Sequence, residues 1–174
     1  LQLETIACIG IIGLPNAGKS SLLAALTNAN PKIANYQFTT LNPNLGVASY
    51  DDKEITIADI PGLIEGAHEG TGLGTQFLKH IERCKSLLHL IDITNEDLDN
   101  SYDQVKNELK NYSLELLKKK ELIVLNKTDL IDSNTADEKI KNFSKNKKCE
   151  ILVLSTLEKE SVSKVKSKLI AYVS

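Results

Sequence analysis

The chain has 174 residues, 41% hydrophobic and 25% charged, the composition of one folded domain rather than a disordered or fibrous polypeptide. Its 21 basic and 23 acidic residues leave a net charge of −2, which argues against strong direct binding to nucleic acid or to an anionic membrane. Cys8, Cys84 and Cys149 lie too far apart for a zinc spacing or a disulfide framework, and no apolar run approaches the ~20 residues of a membrane span, so a reducing, cytoplasmic setting is expected.

Apolar runs alternate with amphipathic stretches, the pattern of a mostly parallel sheet with crossover helices. Residues 6–12 read as a strand buried on both faces, with Cys8, like Cys149 further on, a small core residue. Directly after it, residues 13–20 read GLPNAGKS, which matches GxxxxGK[ST] between a strand and a helix spanning 20–27. Gly13 and Gly18 allow a tight backbone whose N–H groups converge on a phosphate, and the helix N-terminus adds partial positive charge. Lys19 is expected to reach the β- and γ-phosphates of a nucleoside triphosphate, and the Ser20 hydroxyl to bind Mg²⁺.

The segment 30–44 fits neither periodicity, and a loop of that length in a compact domain is usually functional. It carries Thr39-Thr40, of which Thr40 is favoured to complete the Mg²⁺ shell. Strands 45–50 and 55–60 form a hairpin through Asp51-Asp52-Lys53. The second strand leads into DIPG (59–62), where Asp59 would hold Mg²⁺ through water and the Gly62 N–H would sense the γ-phosphate; Ser20, Thr40 and Asp59 together suit octahedral Mg²⁺. A second irregular segment, 61–75, carries Gly66, Gly70, Gly72 and Gly74 and reads as a loop that orders with the γ-phosphate; His68 within it reads as solvent-facing.

Beyond it, a helix at 76–84, a strand at 87–93 and a helix at 103–119 follow, with His80 and His89 as structural residues. A strand at 122–125 leads into NKTD (126–129). A carboxylate there can accept from both N1–H and the N2 amino group of guanine, which adenine cannot match; that role falls to Asp129, with Asn126 and Lys127 bracing the loop. After a helix at 137–145 and a strand at 151–154, Ser155, Thr156 and Leu157 would present N–H groups near guanine O6. A final helix, 161–173, repeats Val162, Val165, Leu169 and Val173 on one face. The lysines at 118–120 and at 145, 147 and 148 read as solvated helix ends.

These motifs resemble the GTPase domain of the Obg family, through GLPNAGKSSLL (13–23), YQFTTLNPNLG (36–46) and DIPGLIEGAHEGTGLGTQFLKHIER (59–83); the HflX and DRG families match the last two less well. The resemblance implies a Ras-like P-loop fold, a mostly parallel six-stranded sheet with one antiparallel strand and about five helices, filling residues 1–174 as a single monomeric G domain. It implies a cytoplasmic GTPase with a role in large ribosomal subunit assembly and stress control. The nucleotide-binding set becomes Gly13, Leu14, Pro15, Asn16, Ala17, Gly18, Lys19, Ser20 and Ser21, then Phe38, Thr39 and Thr40, then Asp59, Ile60, Pro61 and Gly62. Asn126, Lys127, Asp129 and Leu130, with Ser155, Thr156 and Leu157, complete it around the base. The glycine-rich N-terminal domain typical of the family is expected to be absent from a chain that opens at the first strand, and Thr156 stands where the family usually has Ala.

For hydrolysis, Lys19, Thr40, Gly62 and Asn16 are the candidate catalytic residues. The residue after DxxG, a water-orienting Gln in the Ras type, is Leu63 here. Asn16 offers either a K⁺ ligand that offsets charge on the β- and γ-phosphates or simply a brace for the loop. Two functions therefore stand: a GTP-hydrolysing switch, and a guanine-nucleotide sensor that scarcely turns over without a partner.

Overall fold

The computed structural model describes residues 8–27, 32–33, 44–50, 52–59, 82–145 and 147–173. Seven strands form one sheet: β1 (Cys8–Gly13), β2 (Lys32–Ile33), β3 (Asn44–Tyr50), β4 (Lys53–Asp59), β5 (Ser86–Asp92), β6 (Lys120–Asn126) and β7 (Glu150–Val153). Their order is β2-β3-β4-β1-β5-β6-β7. β1 pairs in parallel with β4 and β5, β6 pairs in parallel with β5 and β7, and β3 is antiparallel to its neighbours. The expected six strands are present, and the two-residue β2 extends the edge beside β3 within the segment read as irregular.

The strands form where apolar runs can be covered on both faces. All seven residues of β5 are buried, as are six of the seven in β6. On one face, Ile9, Ile11, Leu88, Leu90 and Leu122 pack against α1 (Lys19–Leu26) and α5 (Lys159–Val173). Leu22, Leu23 and Leu26 of α1 and Val162, Val165 and Leu169 of α5 provide that contact. On the other face, Ile91, Ile123 and Leu125 meet Leu98 of α2 (Leu98–Tyr112) and Ala136 and Phe143 of α4 (Ser133–Ser144). The hairpin closes with Tyr50 opposite Lys53, and Asp52 takes φ +61°, a conformation Asp tolerates better than most side chains.

The stretch expected as one helix, 103–119, is two. α2 starts five residues earlier, because the Asp97 side chain accepts from the Asn100 N–H at 2.9 Å and caps the helix at Leu98. Ser113, with extended φ and ψ, ends it and caps α3 (Leu114–Leu117) by accepting from the Glu115 N–H. α4 likewise starts before the expected position, at Ser133, where Asp132 accepts from the Thr135 N–H at 2.7 Å. The helix expected at 76–84 lies mostly outside the described residues, as do His68 and His80. Among the described residues no helix is long and apolar enough to cross a membrane.

One buried polar group lies away from the motifs. Glu121 accepts from Tyr102 Oη at 3.0 Å and Lys106 Nζ at 3.2 Å, and its Oε2 lies 3.4 Å from His89 Nδ1. Burial alone would raise its carboxyl, but the contacts with His89, Lys106 and Tyr102 outweigh it and hold the group down at about 2. Cys149, expected in the core, is half-buried, with its thiol 3.6 Å from the same carboxylate. Because the folded value lies below the ordinary 4.5, Glu121 stabilises the fold above that pH, and the contribution is lost as pH falls from about 4.5 to about 2. Glu121→Gln is expected to cost about 2 kcal/mol at neutral pH and to flatten this acid limb, as read by urea unfolding across that range.

Candidate functional site

Parallel strands bring their C-terminal ends to one edge, where loops can converge on a ligand. β1 ends in Gly13, and the loop Leu14–Gly18 turns into α1 with the Ala17 N–H donating to the Leu14 carbonyl at 3.0 Å. Any side chain at Gly13 would meet the Leu90 carbonyl of β5 at 2.5 Å, so only glycine allows the strand to end there. Gly18 has φ +97°, and a Cβ on it would lie 2.7 Å from Asn126 Nδ2. Gly18→Ala is expected to cost about 1–2 kcal/mol of backbone strain and to displace Asn126. Thermal unfolding and GDP affinity should both fall, and an unchanged affinity would contradict the role of this turn in shaping the loop.

The β1–β4 register sets Ile11 beside Asp59, which delivers the Asp59 carboxylate to the start of α1. Ser20 Oγ donates to Asp59 Oδ2 at 3.1 Å, and Lys19 Nζ lies 3.6 Å from Asp59 Oδ1. Asp59 is 4% exposed, and its Oδ1 is buried with no hydrogen-bond partner among the described residues. A buried carboxylate oxygen in need of a partner, next to a hydroxyl, fits Mg²⁺ with water in its shell, an ion that takes only one or two carboxylates. Among the described residues no cluster of three or more His, Cys, Asp or Glu could hold a metal ion.

The NKTD loop is tied to this cradle. Asn126 Nδ2 donates to the Ala17 carbonyl at 2.9 Å, and Lys127 Nζ donates to the Asn16 carbonyl at 2.7 Å. Lys127 itself has φ +68° and opens the short 3-10 turn Thr128–Leu130. Asp129 accepts from Ser155 Oγ at 2.9 Å, while Thr128 Oγ1 donates to the Leu154 carbonyl, so the loops after β6 and β7 are locked together. Of the three N–H groups expected at the base, that of Ser155 donates to Ser161 Oγ at 3.1 Å and that of Leu157 to Ser155 Oγ at 3.3 Å. The Thr156 N–H makes no such bond among the described residues. Leu130 and Leu157, 63% and 80% exposed, leave apolar surface beside Asp129 and Ser155 that could cover the faces of a planar ring.

One site residue was missed in the sequence. Asp92 ends β5 opposite Asn126 and is 4% exposed. It accepts from Lys127 Nζ at 2.9 Å and from the Thr94 N–H and Oγ1 at 2.9 and 2.6 Å. Burial would raise its carboxyl, yet the bonds from Thr94 and Lys127 prevail and hold it below the usual carboxylate range. The available signal was an acidic residue closing a mostly apolar strand, SLLHLID, just as Asp59 closes β4. Thus Gly13–Ser20, Asp59, Asn126–Asp129 and Ser155–Leu157 converge at one edge, with Ser21 exposed on α1. Phe38, Thr39, Thr40, Ile60, Pro61, Gly62 and Leu63 lie outside the described residues.

Residues 8–127 match the protein family described as "50S ribosome-binding GTPase". The chain is 74% identical over 174 residues to the GTPase Obg of Pelagibacter ubique, covering 100% of this chain and 53% of that protein. It is 52% identical over 173 residues to the GTPase Obg of Ehrlichia chaffeensis, covering 99% of this chain and 50% of that one. The chain therefore spans about half the length of the curated relatives it matches. In fold it resembles the G domain of the T. maritima FeoB iron transporter, with a TM-score of 0.67 at 22% identity over 97% of this chain and 99% of that one. The cytosolic domain of the same transporter in a GDP form gives 0.71 at 20% identity over 96% of this chain and 63% of that one. These likenesses establish the Ras-like G-domain fold, and the sequence relationships place the chain in the family of 50S ribosome-binding GTPases, within it among the Obg GTPases.

Proposed function

We propose that this chain is a Mg²⁺-dependent switch that binds GTP and GDP, hydrolyses GTP, and acts in the cytoplasm with the large ribosomal subunit. The observation that carries the reading is the double tether from Asn126 and Lys127 to the carbonyls of Ala17 and Asn16. It makes the phosphate loop and the base loop one rigid unit, so that a nucleotide satisfying Asp129 has its phosphates delivered to Lys19. The ribosomal partner rests on the family description and on Obg relatives about twice as long as this chain.

In this reading Asp129 accepts from the guanine N1–H and N2 amino group, and the Thr156 N–H donates to O6. Lys19 leaves the neighbourhood of Asp59 to pair with the β- and γ-phosphates, while backbone N–H groups of the loop 13–18 surround the β-phosphate. Ser20 and Asp59, with Thr40, would hold Mg²⁺, which when bound offsets the charge developing on the phosphoryl oxygens. The Gly62 N–H senses the γ-phosphate, and Phe38, Ile60 and Pro61 border the nucleotide. Asp92 fixes the Lys127 ammonium between the two loops.

The carbonyl of Asn16 is committed to Lys127, which leaves its exposed side-chain amide as the donor to a K⁺ ion beside the phosphates. Turnover of GTP in KCl against matched NaCl tests this: at least about tenfold stimulation is expected, lost in Asn16→Ala, since a positioned charge at the transition state contributes on that order or more. Equal rates in both salts would remove the K⁺ role. Leu63, which cannot orient water, favours the second reading, a nucleotide sensor completed by a partner; it prevails if GTP and GDP bind tightly while neither salt supports turnover.

A further inference from the structure

Three of the lysines that look in sequence like two unrelated helix ends, Lys119, Lys120 and Lys148, meet in space. Lys119 and Lys120, before and at the start of β6, and Lys148, just before β7, line one open cavity of about 650 Å³ together with Lys106 of α2 and Lys168 of α5. The lining holds five lysines against two carboxylates, Glu121 and Glu150, an excess of three positive charges on a chain whose net charge is −2. Both carboxylates are engaged: Lys106 Nζ lies 3.2 Å from Glu121 and Lys168 Nζ 2.7 Å from Glu150. Lys119 donates to the Glu82 carbonyl, and Lys120 Nζ sits 4.0 Å from the centre of the Tyr172 ring, so these two amines are held at the rim, while Lys148 is exposed beside them.

We propose that this groove is a second binding surface, for the phosphodiester backbone of RNA. Several lysines spread around an open concavity suit a run of phosphates read as point charges, with no arginine fork to demand one bidentate ligand. Position supports the assignment. Lys120 and Glu150 open β6 and β7, whereas the nucleotide-site residue Asn126 closes β6 and Ser155 lies two residues past the end of β7. The groove thus lies at the opposite edge of the sheet, and both sites can be filled at once. The choice of RNA over another polyanion rests on the ribosomal reading above; the charge geometry does not.

The test uses the whole chain and a labelled RNA hairpin, with binding followed by fluorescence anisotropy across a salt series. The probes run beside it are polyglutamate as competitor and purified large ribosomal subunits in cosedimentation. Changing Lys119, Lys120 and Lys148 together to Gln is expected to weaken hairpin binding at least about tenfold near physiological salt and to lower the slope of log affinity against log salt by about 2. The triple change to Arg should keep the binding. GDP affinity and thermal midpoint, unchanged in both variants, show that the fold and nucleotide site are intact. Binding of the hairpin by the Gln variant as tightly as by the parent chain, or stronger competition from polyglutamate than from unlabelled RNA, overturns the proposal. If the parent chain binds the hairpin through these lysines but does not sediment with subunits, the groove stands and the ribosomal reading falls. If subunits bind the parent and the Gln variant equally while the hairpin binds neither, the groove falls and the ribosomal reading stands.

Discussion

Lys19→Ala is expected to weaken both GTP and GDP binding by about 100-fold, a loss on the order of 3 kcal/mol. The side chain is 11% exposed and lies 3.6 Å from the buried Asp59 carboxylate, a contact that it exchanges for the phosphates when a ligand enters. A polyphosphate entering the loop brings several negative charges against a helix N-terminus and this one ammonium. Removing the ammonium leaves phosphate oxygens without their strongest partner and leaves Asp59 as an uncompensated neighbour of like charge. The loss should be greater for GTP than for GDP, because the amine spans the β- and γ-phosphates. Calorimetric titration with both nucleotides checks this, and unchanged affinity would remove the phosphate-loop reading altogether.

The second large effect is a change of base. In Asp129→Asn the carboxylate that accepts two guanine donors becomes an amide with one acceptor and one NH₂, and the NH₂ faces the guanine N2 amino group donor-to-donor. GDP affinity is expected to fall about 1,000-fold, since a site built to pair a base rejects one that leaves buried polar groups unpaired. Xanthosine diphosphate, which carries a carbonyl in place of that amino group, should bind the variant better than GDP does. The bond from Ser155 Oγ to Asp129 Oδ1 survives because the amide oxygen still accepts, so the loop is not expected to collapse. Retained preference for GDP over the xanthine nucleotide would falsify the assignment of Asp129 to the base.

How much of this was legible in the sequence depended on whether the determinant was local. The six expected strands were, to within one or two residues, because mostly apolar runs such as 87–93 are too short for a typical helix and suit a strand covered on both faces; the two-residue β2 was not, because it is too short to show a period. The phosphate loop and NKTD were, because each places its chemistry within a few consecutive residues. The start of α2 was missed although Leu98, Tyr102, Val105 and Leu109 fall on one helical face; the polar cluster at 95–97 reads as loop, and only the Asp97 cap turns it into a helix start. Asp92 was missed for a deeper reason. Its partner Lys127 is 35 residues away, and nothing local distinguishes a carboxylate that grips the base loop from one that merely ends a strand. The same holds for the tethers to Asn16 and Ala17, which span 111 and 109 positions, and for the lysines that read as separate solvated helix ends and converge at the groove. Those are products of strand order.

The central claim is that one rigid edge of the sheet recognises guanine and triphosphate together. It is tested most directly by competition binding of a fluorescent GDP analogue against GTP, GDP, ATP and ADP in the presence of Mg²⁺. The account predicts displacement by both guanine nucleotides and none by ATP or ADP at about a thousandfold excess. Displacement by ATP at concentrations comparable to GTP would show that Asp129 and its loop do not select the base, and would contradict the account.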